Sequence, residues 1–482
     1  KERDEKWRWV PLRVRYDKTT DFRSGGKNFG NAYHVANSVW QTIHNPITTE
    51  MITTGENVPT DITDDDVYYN RVTNSTGDNT VSLRDFHNLF VKKTLIANVS
   101  KKGDTLIDFA VGKGGDLPKW ISANLKFVFG IDISRDNIQN RMNGACARYL
   151  NYKKTTKEMP DALFVHGNSS INIRNGAAIY SDKDKQITKA VFGQGAKDVK
   201  ELGKGVYNQY GIGMDGFNVS SIQFAVHYMF ESPETLQNLL RNVSETTKVG
   251  GYFIGTSYDG KEIFKLLKNK SVNESVTIME NNNKLLEITK KYTETEFPDN
   301  SSSLGYAIDV FQESINKTFR EYLVNYTYFT RMLENYGFVP ITNEEARKMN
   351  LPSGSGLFSD LFKVMKDEIK RNPKNEYLYK SAAKMSAGER QISFLNRYFI
   401  YKKVRNIDTE QVSSNLIGKS VNVELDEEEQ KKMDQEKIVT GLPDGSASVD
   451  ATINQTEQPI QQKTMLKKAP IKKGKLVLKE KK

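Results

Sequence analysis

Two stretches carry residue types that could hold a nucleoside. The first, Asp108-Phe109-Ala110-Val111-Gly112-Lys113-Gly114-Gly115-Asp116-Leu117, follows an apolar run and opens a helix-like pattern. Glycines at a strand-to-helix turn remove Cβ atoms, so a ligand can press against backbone. The second, Gly130-Ile131-Asp132, ends the next apolar run, and a carboxylate there can accept both hydroxyls of a ribose. Either stretch alone is compatible with a bare tight turn; together they favour a nucleoside cofactor. The stretch Lys113-Gly114-Gly115-Asp116-Leu117-Pro118-Lys119-Trp120 lacks the second half of a dinucleotide fingerprint, and no basic residue is placed for a pyrophosphate. Asp116 could hold an ammonium group, which suits the amino-acid end of S-adenosylmethionine.

These residues need a scaffold that brings strand ends together. From about residue 83 to 260, apolar runs at Thr105–Ala110, Phe127–Ile131, Ala162–Val165, Val219–Val226 and Tyr252–Thr256 are separated mostly by helical stretches such as Pro233–Thr247. That alternation predicts a mainly parallel, doubly wound sheet. Residues 170–216 interrupt it with eight glycines among many lysines, which reads as an insertion: a lid or RNA-facing excursion, or a plain surface loop. Further on, 270–345 mixes short strands with a helix around Tyr322–Tyr336, and Gln391–Lys403 alternates like a closing strand.

Composition bounds the partners. The 482 residues are 37% hydrophobic, enough for a sizeable core, and no apolar run approaches a membrane span. The single cysteine, Cys146, cannot form an internal disulfide, and five histidines without cysteine partners give no zinc spacing. The formal charge is +10, but residues 463–482 hold nine lysines against one glutamate. The body is therefore nearly balanced, and nucleic-acid binding has to be argued from local sites.

Four stretches carry a family resemblance: Asp108–Trp120, the string Ser221-Ile222-Gln223-Phe224-Ala225-Val226-His227-Tyr228-Met229-Phe230-Glu231, Gly250–Thr256, and Asn88 through Lys92. In order, over about 83–403, they resemble the RNA cap guanine-N7 methyltransferases, most nearly those fused into the capping enzymes of large DNA viruses. The resemblance implies a Rossmann-like class I S-adenosylmethionine-dependent methyltransferase fold. Its sheet would be mainly parallel and seven-stranded, with helices on both faces and an additional small antiparallel subdomain. It implies that Lys92 and Asp132 hold the cofactor's carboxylate and ribose. Asp108, Ala110 and Gly112 would form the glycine turn, Gln223 and Tyr228 would line the pocket near the sulfonium, and Asn168 would take the adenine side, where relatives carry Asp. Ala110-Val111-Gly112 departs from a Gly-Cys-Gly pattern, which narrows the allowed backbone.

On the cap side the resemblance implies Asn88, Lys113, Lys119, Arg148, His227, Glu321 and Tyr398 around the guanosine and its triphosphate. Taken alone, His227 in an apolar strand reads as a core histidine, Lys119 and Arg148 as solvated helix positions, and Tyr398 as an edge-strand residue. A Glu321 carboxylate can accept from guanine N1–H and N2–H₂ together, and lysines and an arginine suit phosphates. Guanine N7 needs no general base, so catalysis by His227, Tyr228 and Glu321 would be positioning and electrostatic. Rival readings are a methyltransferase acting on another RNA site and a non-catalytic RNA-binding module.

The flanks are read separately. Trp9-Val10-Pro11-Leu12-Arg13-Val14-Arg15-Tyr16-Asp17-Lys18-Thr19 resembles the last motif of the guanylyltransferase OB-fold in the same viral enzymes. Residues 1–45 are therefore expected to be its C-terminal remnant, with the rest of the capping enzyme upstream in one polypeptide. No Lys-x-Asp-Gly occurs, so no guanylyl transfer is expected of this chain. Residues 46–80 read as a linker, 81–403 as the methyltransferase domain and 404–482 as a lysine-rich tail disordered from about 410. The expected partners are 5′-capped RNA and, as related viral enzymes can use one, a stimulatory viral subunit. The expected location is intracellular, in the host cytoplasm or the virion.

Overall fold

The computed structural model describes residues 15–25 and 80–413, except 314 and 316. The expected OB-fold remnant and linker lie almost wholly outside them; Tyr16–Arg23 forms a short helix.

Among the described residues twelve strands form two sheets: β1 (Thr105–Asp108), β2 (Phe127–Asp132), β3 (Asp161–His166), β4 (Phe217–Gln223), β5 (Thr247–Tyr258), β6 (Ser275–Glu280), β7 (Asn283–Lys290), β8 (Ala307–Gln312), β9 (Lys317–Tyr322), β10 (Phe338–Pro340), β11 (Ser355–Leu357) and β12 (Asn396–Lys403). The central sheet runs β10-β12-β5-β4-β1-β2-β3, with β11 added beside β12. Strands β1 to β5 pair in parallel, and β12 runs antiparallel to β5. The second sheet is an antiparallel meander, β6-β7-β8-β9. This is the α/β architecture the alternation predicts, with the separate antiparallel element.

Alternate side chains enter opposite cores, because both faces of a sheet of this kind are covered by helices. Leu106, Val128, Ile254, Tyr398 and Ile400 point into one apolar cluster; Ile107, Phe129, Phe253, Phe399 and Tyr401 point into the other. The chain leaves β1 towards β2 on one side and β4 lies on the other. The carboxyl ends of β1 and β4 therefore flank a topological switch point, where a crevice forms.

Three sequence expectations change. Residues 170–216 are not an excursion: helices Asp182–Val191 and Val199–Tyr207 are capped by Ser181 and Asp198, and Phe192 packs edge-on to Phe129 and Phe217 in the core. Lysines and glycines hid a helical apolar spacing at Ile187, Ala190, Val191, Leu202 and Val206. The closing strand starts at Asn396, because Ser386 and Glu389 form a capping box that makes Ala387–Ser393 a helix. Past 403 the chain stays on the domain: Val404 N donates to Gly337 O, and Thr409 Oγ1 donates to Glu245 Oε1 at 2.8 Å.

Candidate active site

The glycine turn sits at the switch point as a backbone cradle. Gly112 and Gly114 adopt φ of +55° and +68°, a region that side chains disfavour. Ala110 does not share it, so the alanine at that position carries no backbone strain. A Cβ on Gly130 would stand 2.7 Å from the Phe164 ring and 2.8 Å from Val111, so β2 must be bare there for the turn to seat. Asp132, at the end of β2, accepts from Gly112 N at 2.7 Å, Ser134 N at 2.9 Å and Asn137 Nδ2 at 3.0 Å. Burial still outweighs these donors and raises its pKa. Two donors occupy Oδ1 and one occupies Oδ2, leaving lone-pair capacity on Oδ2.

Beside the turn lies a buried charge cluster. Lys119 Nζ is 2.8 Å from Asp116 Oδ1, and Lys92 Nζ is 3.5 Å from the same carboxylate. Burial alone would raise the Asp116 pKa, but Lys119 and then Lys92 outweigh it and hold it at about 2. Burial depresses Lys119, and the charge of Arg148 reaches it. The ammonium that sequence reasoning sought for Asp116 is thus supplied by the protein itself. Two lysines against one aspartate leave a positive excess suited to a carboxylate. Nearby, Asp108 accepts from Ala110 N at 3.1 Å, and burial followed by the Asp116 charge pushes its pKa up to about 8. A buried acid that gains from a cation and a buried positive excess together match the zwitterionic end of an amino acid.

Lys92 reaches this cluster because the helix carrying it, Val81–Val99, contains a π-turn at Phe86–Val91. Such turns widen a helix locally and are common at functional sites. Asn88 lies in the π-turn, its amide donating to Arg84 O at 3.0 Å.

Across the crevice the string following β4 builds a second wall. Gln223, the last residue of β4, is tied to Ser221 Oγ and Thr256 Oγ1. Phe224 then takes φ +55°, a strained value for a bulky residue, fixed by Thr256 O accepting its N–H at 2.8 Å. His227 and Tyr228 follow in a 3₁₀ turn, Val226–Phe230, so His227 is not a strand residue. Its ring centre is 4.2 Å from that of Tyr228, and its Nε2 is 3.6 Å from Glu321 Oε2 on β9. His227 and Glu321 are 4% and 8% exposed. Both ring nitrogens and Glu321 Oε2 lack a hydrogen-bond partner among the described residues. The 3.6 Å approach has the look of an ion pair, but burial lowers His227 to about 3 and raises Glu321 to about 8. Both are neutral near pH 7, because ionising either one in this dry contact costs more than the pairing returns. Native interiors seldom leave such groups unsatisfied.

A family model described as the mRNA (guanine-N(7))-methyltransferase domain matches residues 66–404. The chain belongs to the mRNA (guanine-N(7))-methyltransferase family. Among its relatives is a protein of Acanthamoeba polyphaga mimivirus described as a "Probable mRNA-capping enzyme", 28% identical over 85% of this chain and 36% of that protein. The mRNA-capping enzyme of African swine fever virus (strain Badajoz 1971 Vero-adapted) is 21% identical over 75% of this chain and 37% of its own length. The mRNA cap guanine-N(7) methyltransferase of Saccharomyces cerevisiae is 24% identical over 70% of this chain and 67% of its own. The chain thus spans little more than a third of the two viral relatives.

Not every residue suggested by the family resemblance comes together. Tyr398 is fully buried in β12, and its hydroxyl donates to Ser353 O at 3.0 Å; it packs in a core and presents no surface to a ligand. Asn168 Oδ1 accepts from Ser170 N and Oγ in a local turn, so any contact it makes with a base edge would use its NH₂. Lys113 turns to Asp136, 2.8 Å away, and Asn143. Sequence reading also missed an aromatic support. His87 stacks on Phe224 at 5.3 Å and bonds Ser393 Oγ at 2.9 Å, while Lys92 Nζ stands 5.4 Å over the Phe224 ring. The one sequence signal was His87 lying next to Asn88. Tyr258, at the end of β5, is a further neighbour of Glu321: burial and that charge hold its phenol above the usual range.

Proposed function

We propose that this chain transfers the methyl group of S-adenosylmethionine to N7 of the guanosine cap of RNA. The observation that carries the reading is the buried pair of His227 and Glu321, 3.6 Å apart and unsatisfied among the described residues, on the segment that follows β4 at the switch point. Guanine offers N1–H and N2–H₂ on one edge, and an ionised Glu321 can accept from both.

The residues fit the cofactor. Lys92 and Lys119 would hold its carboxylate, Asp108 its ammonium, Asp132 its ribose and Asn168 its adenine side, while Gln223 and Tyr228 would line the pocket between them. When bound, the cofactor supplies a methyl group already activated by its sulfonium. No general base is called for, because N7 has a free lone pair. The work left to the chain is orientation, which can supply on the order of 7–11 kcal/mol. His227 and Tyr228 wall the guanine and exclude water. Glu321 fixes its edge and, once the guanine N–H donors have lowered its pKa and its proton has left to solvent, offsets the positive charge that develops on the ring. Arg148 favours the triphosphate side as a charge-assisted donor; Lys119, expected there from the resemblance, is instead held at Asp116, and Lys113 can join Arg148 only by leaving Asp136. We assign no cap contact to Tyr398.

The substrate follows as 5′-capped RNA. The polypeptide is read as the methyltransferase part of a longer capping enzyme, with the 1–45 remnant upstream and the lysine-rich tail downstream. A stimulatory viral subunit and a place in the host cytoplasm or virion belong to the same reading. Among the described residues no helix is long and apolar enough to cross a membrane.

The test is methyl transfer from labelled cofactor to a panel of capped RNA, uncapped RNA and free nucleotides. Label on capped RNA, released as 7-methylguanosine, supports the reading. Label only on uncapped RNA would replace it with another RNA methyltransferase, and no cofactor binding at all would leave an RNA-binding module.

A further inference from the structure

The string that distinguishes this family in the sequence ends in Glu231, and nothing so far gives that residue a task. Its place is informative. Glu231 lies four residues after His227, just beyond the 3₁₀ turn, and its Oε1 accepts a hydrogen bond from the Tyr322 hydroxyl at 2.9 Å. Tyr322 directly follows Glu321 on β9. The bond therefore joins the element carrying His227 to the element carrying Glu321, one residue and four residues away from the pocket groups themselves.

His227 hangs from the central sheet and Glu321 from the antiparallel meander, so their 3.6 Å approach is set by how the two sheets are held together. On β9, Glu321 pairs with the core residue Ile308 whereas Tyr322 pairs with Ala307. Successive strand residues face opposite ways, so Glu321 meets His227 on one face while Tyr322 is tethered on the other. A backbone bond from Gly305 N to Phe230 O at 2.9 Å crosses the same junction. The junction thus has a backbone tie that no side-chain change removes, plus one side-chain tie. Glu231 is exposed and Tyr322 half-buried, so neither is a core residue whose loss would unfold the domain.

We infer that the Tyr322–Glu231 hydrogen bond is a clasp that sets the separation of His227 and Glu321, which makes both residues positioning residues for the guanine. This rests on the proposed reading of the pocket. The clasp acts on one substrate only: it touches neither the Lys92–Asp116–Lys119 cluster nor the glycine turn, so the cofactor side is indifferent to it.

The experiment uses the full chain and the variants Tyr322→Phe, Glu231→Ala, Glu231→Gln and the Tyr322→Phe/Glu231→Ala double substitution. Affinity for S-adenosylhomocysteine and for the cap dinucleotide GpppA is measured by calorimetry. Tyr322→Phe and Glu231→Ala should each weaken GpppA about tenfold, the scale of one bond to a charged acceptor, with S-adenosylhomocysteine changed by less than about twofold. Glu231→Gln keeps an acceptor oxygen and should recover most of the loss. The double substitution should be no weaker than either single one, since both remove the same bond. Unchanged GpppA affinity in both single variants, against a wild type that binds it, would remove the clasp and leave the function intact. Equal losses of both ligands would show a general structural role and likewise overturn it. A wild-type chain that binds S-adenosylhomocysteine but not GpppA would remove the guanine reading, and the clasp with it.

Discussion

On one side of the crevice Lys92 and Lys119 stand 3.5 and 2.8 Å from Asp116, leaving one positive charge in excess, and Asp132 is held by three donors. On the other side His227 and Glu321 are equally buried, yet their inward polar atoms have no partner among the described residues. The first wall is complete before any ligand arrives, so a cofactor meets charges already fixed in place. The second is unfinished: its buried polar groups raise the free energy of the protein until a ligand with matching donors satisfies them. In the proposed reading preorganisation serves affinity on one wall, and unsatisfied groups serve selectivity on the other, because an analogue lacking those donors would leave them unpaired.

The contrast breaks first at Glu321. Glu321→Gln should lower kcat/KM for capped RNA by about 10²-fold, the scale of losing one electrostatic stabiliser, while leaving the affinity for S-adenosylhomocysteine unchanged in calorimetry. Retained activity would show the two walls to be alike. On the other wall, Asp116→Asn leaves two buried ammonium groups without a counter-charge. It should cost about 3–5 kcal/mol of stability, read as a fall in denaturant midpoint, and S-adenosylhomocysteine should restore part of it.

The pH profile sharpens the comparison. In the proposed reading ionised Glu321 accepts from the guanine, and burial raises its pKa to about 8 in the free protein. Thus kcat/KM for capped RNA should rise with pH through about 8, and Glu321→Gln should abolish that limb. Asp108 carries the same shift on the cofactor wall. Its folded pKa lies above the unfolded value of about 3.9. The native state therefore holds an extra proton between those values, and the stability so gained is lost as pH rises through about 8. Asp108→Asn mimics the protonated acid, so its Tm relative to the parent should climb by about 4 °C or more between pH 5 and pH 8. Cofactor affinity should fall if Asp108 holds the ammonium. The smallest effect is expected at Tyr398: removal of its hydroxyl in Tyr398→Phe should cost about 1 kcal/mol from the Ser353 bond and leave KM for capped RNA unchanged. A large rise in that KM would return Tyr398 to the cap pocket.

Much of the cofactor wall was legible in the chain because its chemistry is local. Gly112, Gly114 and Asp132 are placed by strand ends, and strand ends follow from apolar runs and glycine turns that occupy adjacent positions. The guanine wall was legible only through family resemblance. Glu321 lies on the antiparallel sheet, 94 positions after His227 in its 3₁₀ turn, and no periodicity joins them. Tyr398 shows the limit of carrying over a residue by its place in a motif: an alternating strand states which residues share a face, but not that this face is sealed by Ser353 and the helix Phe358–Arg371. The insertion failed in the opposite sense, since a lysine-rich surface concealed two helices whose apolar stripe is narrow.

By itself the sequence determined the order of strands and helices, the glycine cradle and the acid that ends β2, because each depends on backbone preferences and apolar spacing within a few residues. Tertiary structure alone decided which charges neutralise one another, which acids hold their protons and which polar groups are left unsatisfied. Those properties depend on distance and burial between segments far apart in the chain, and both are set only when the two sheets close on each other.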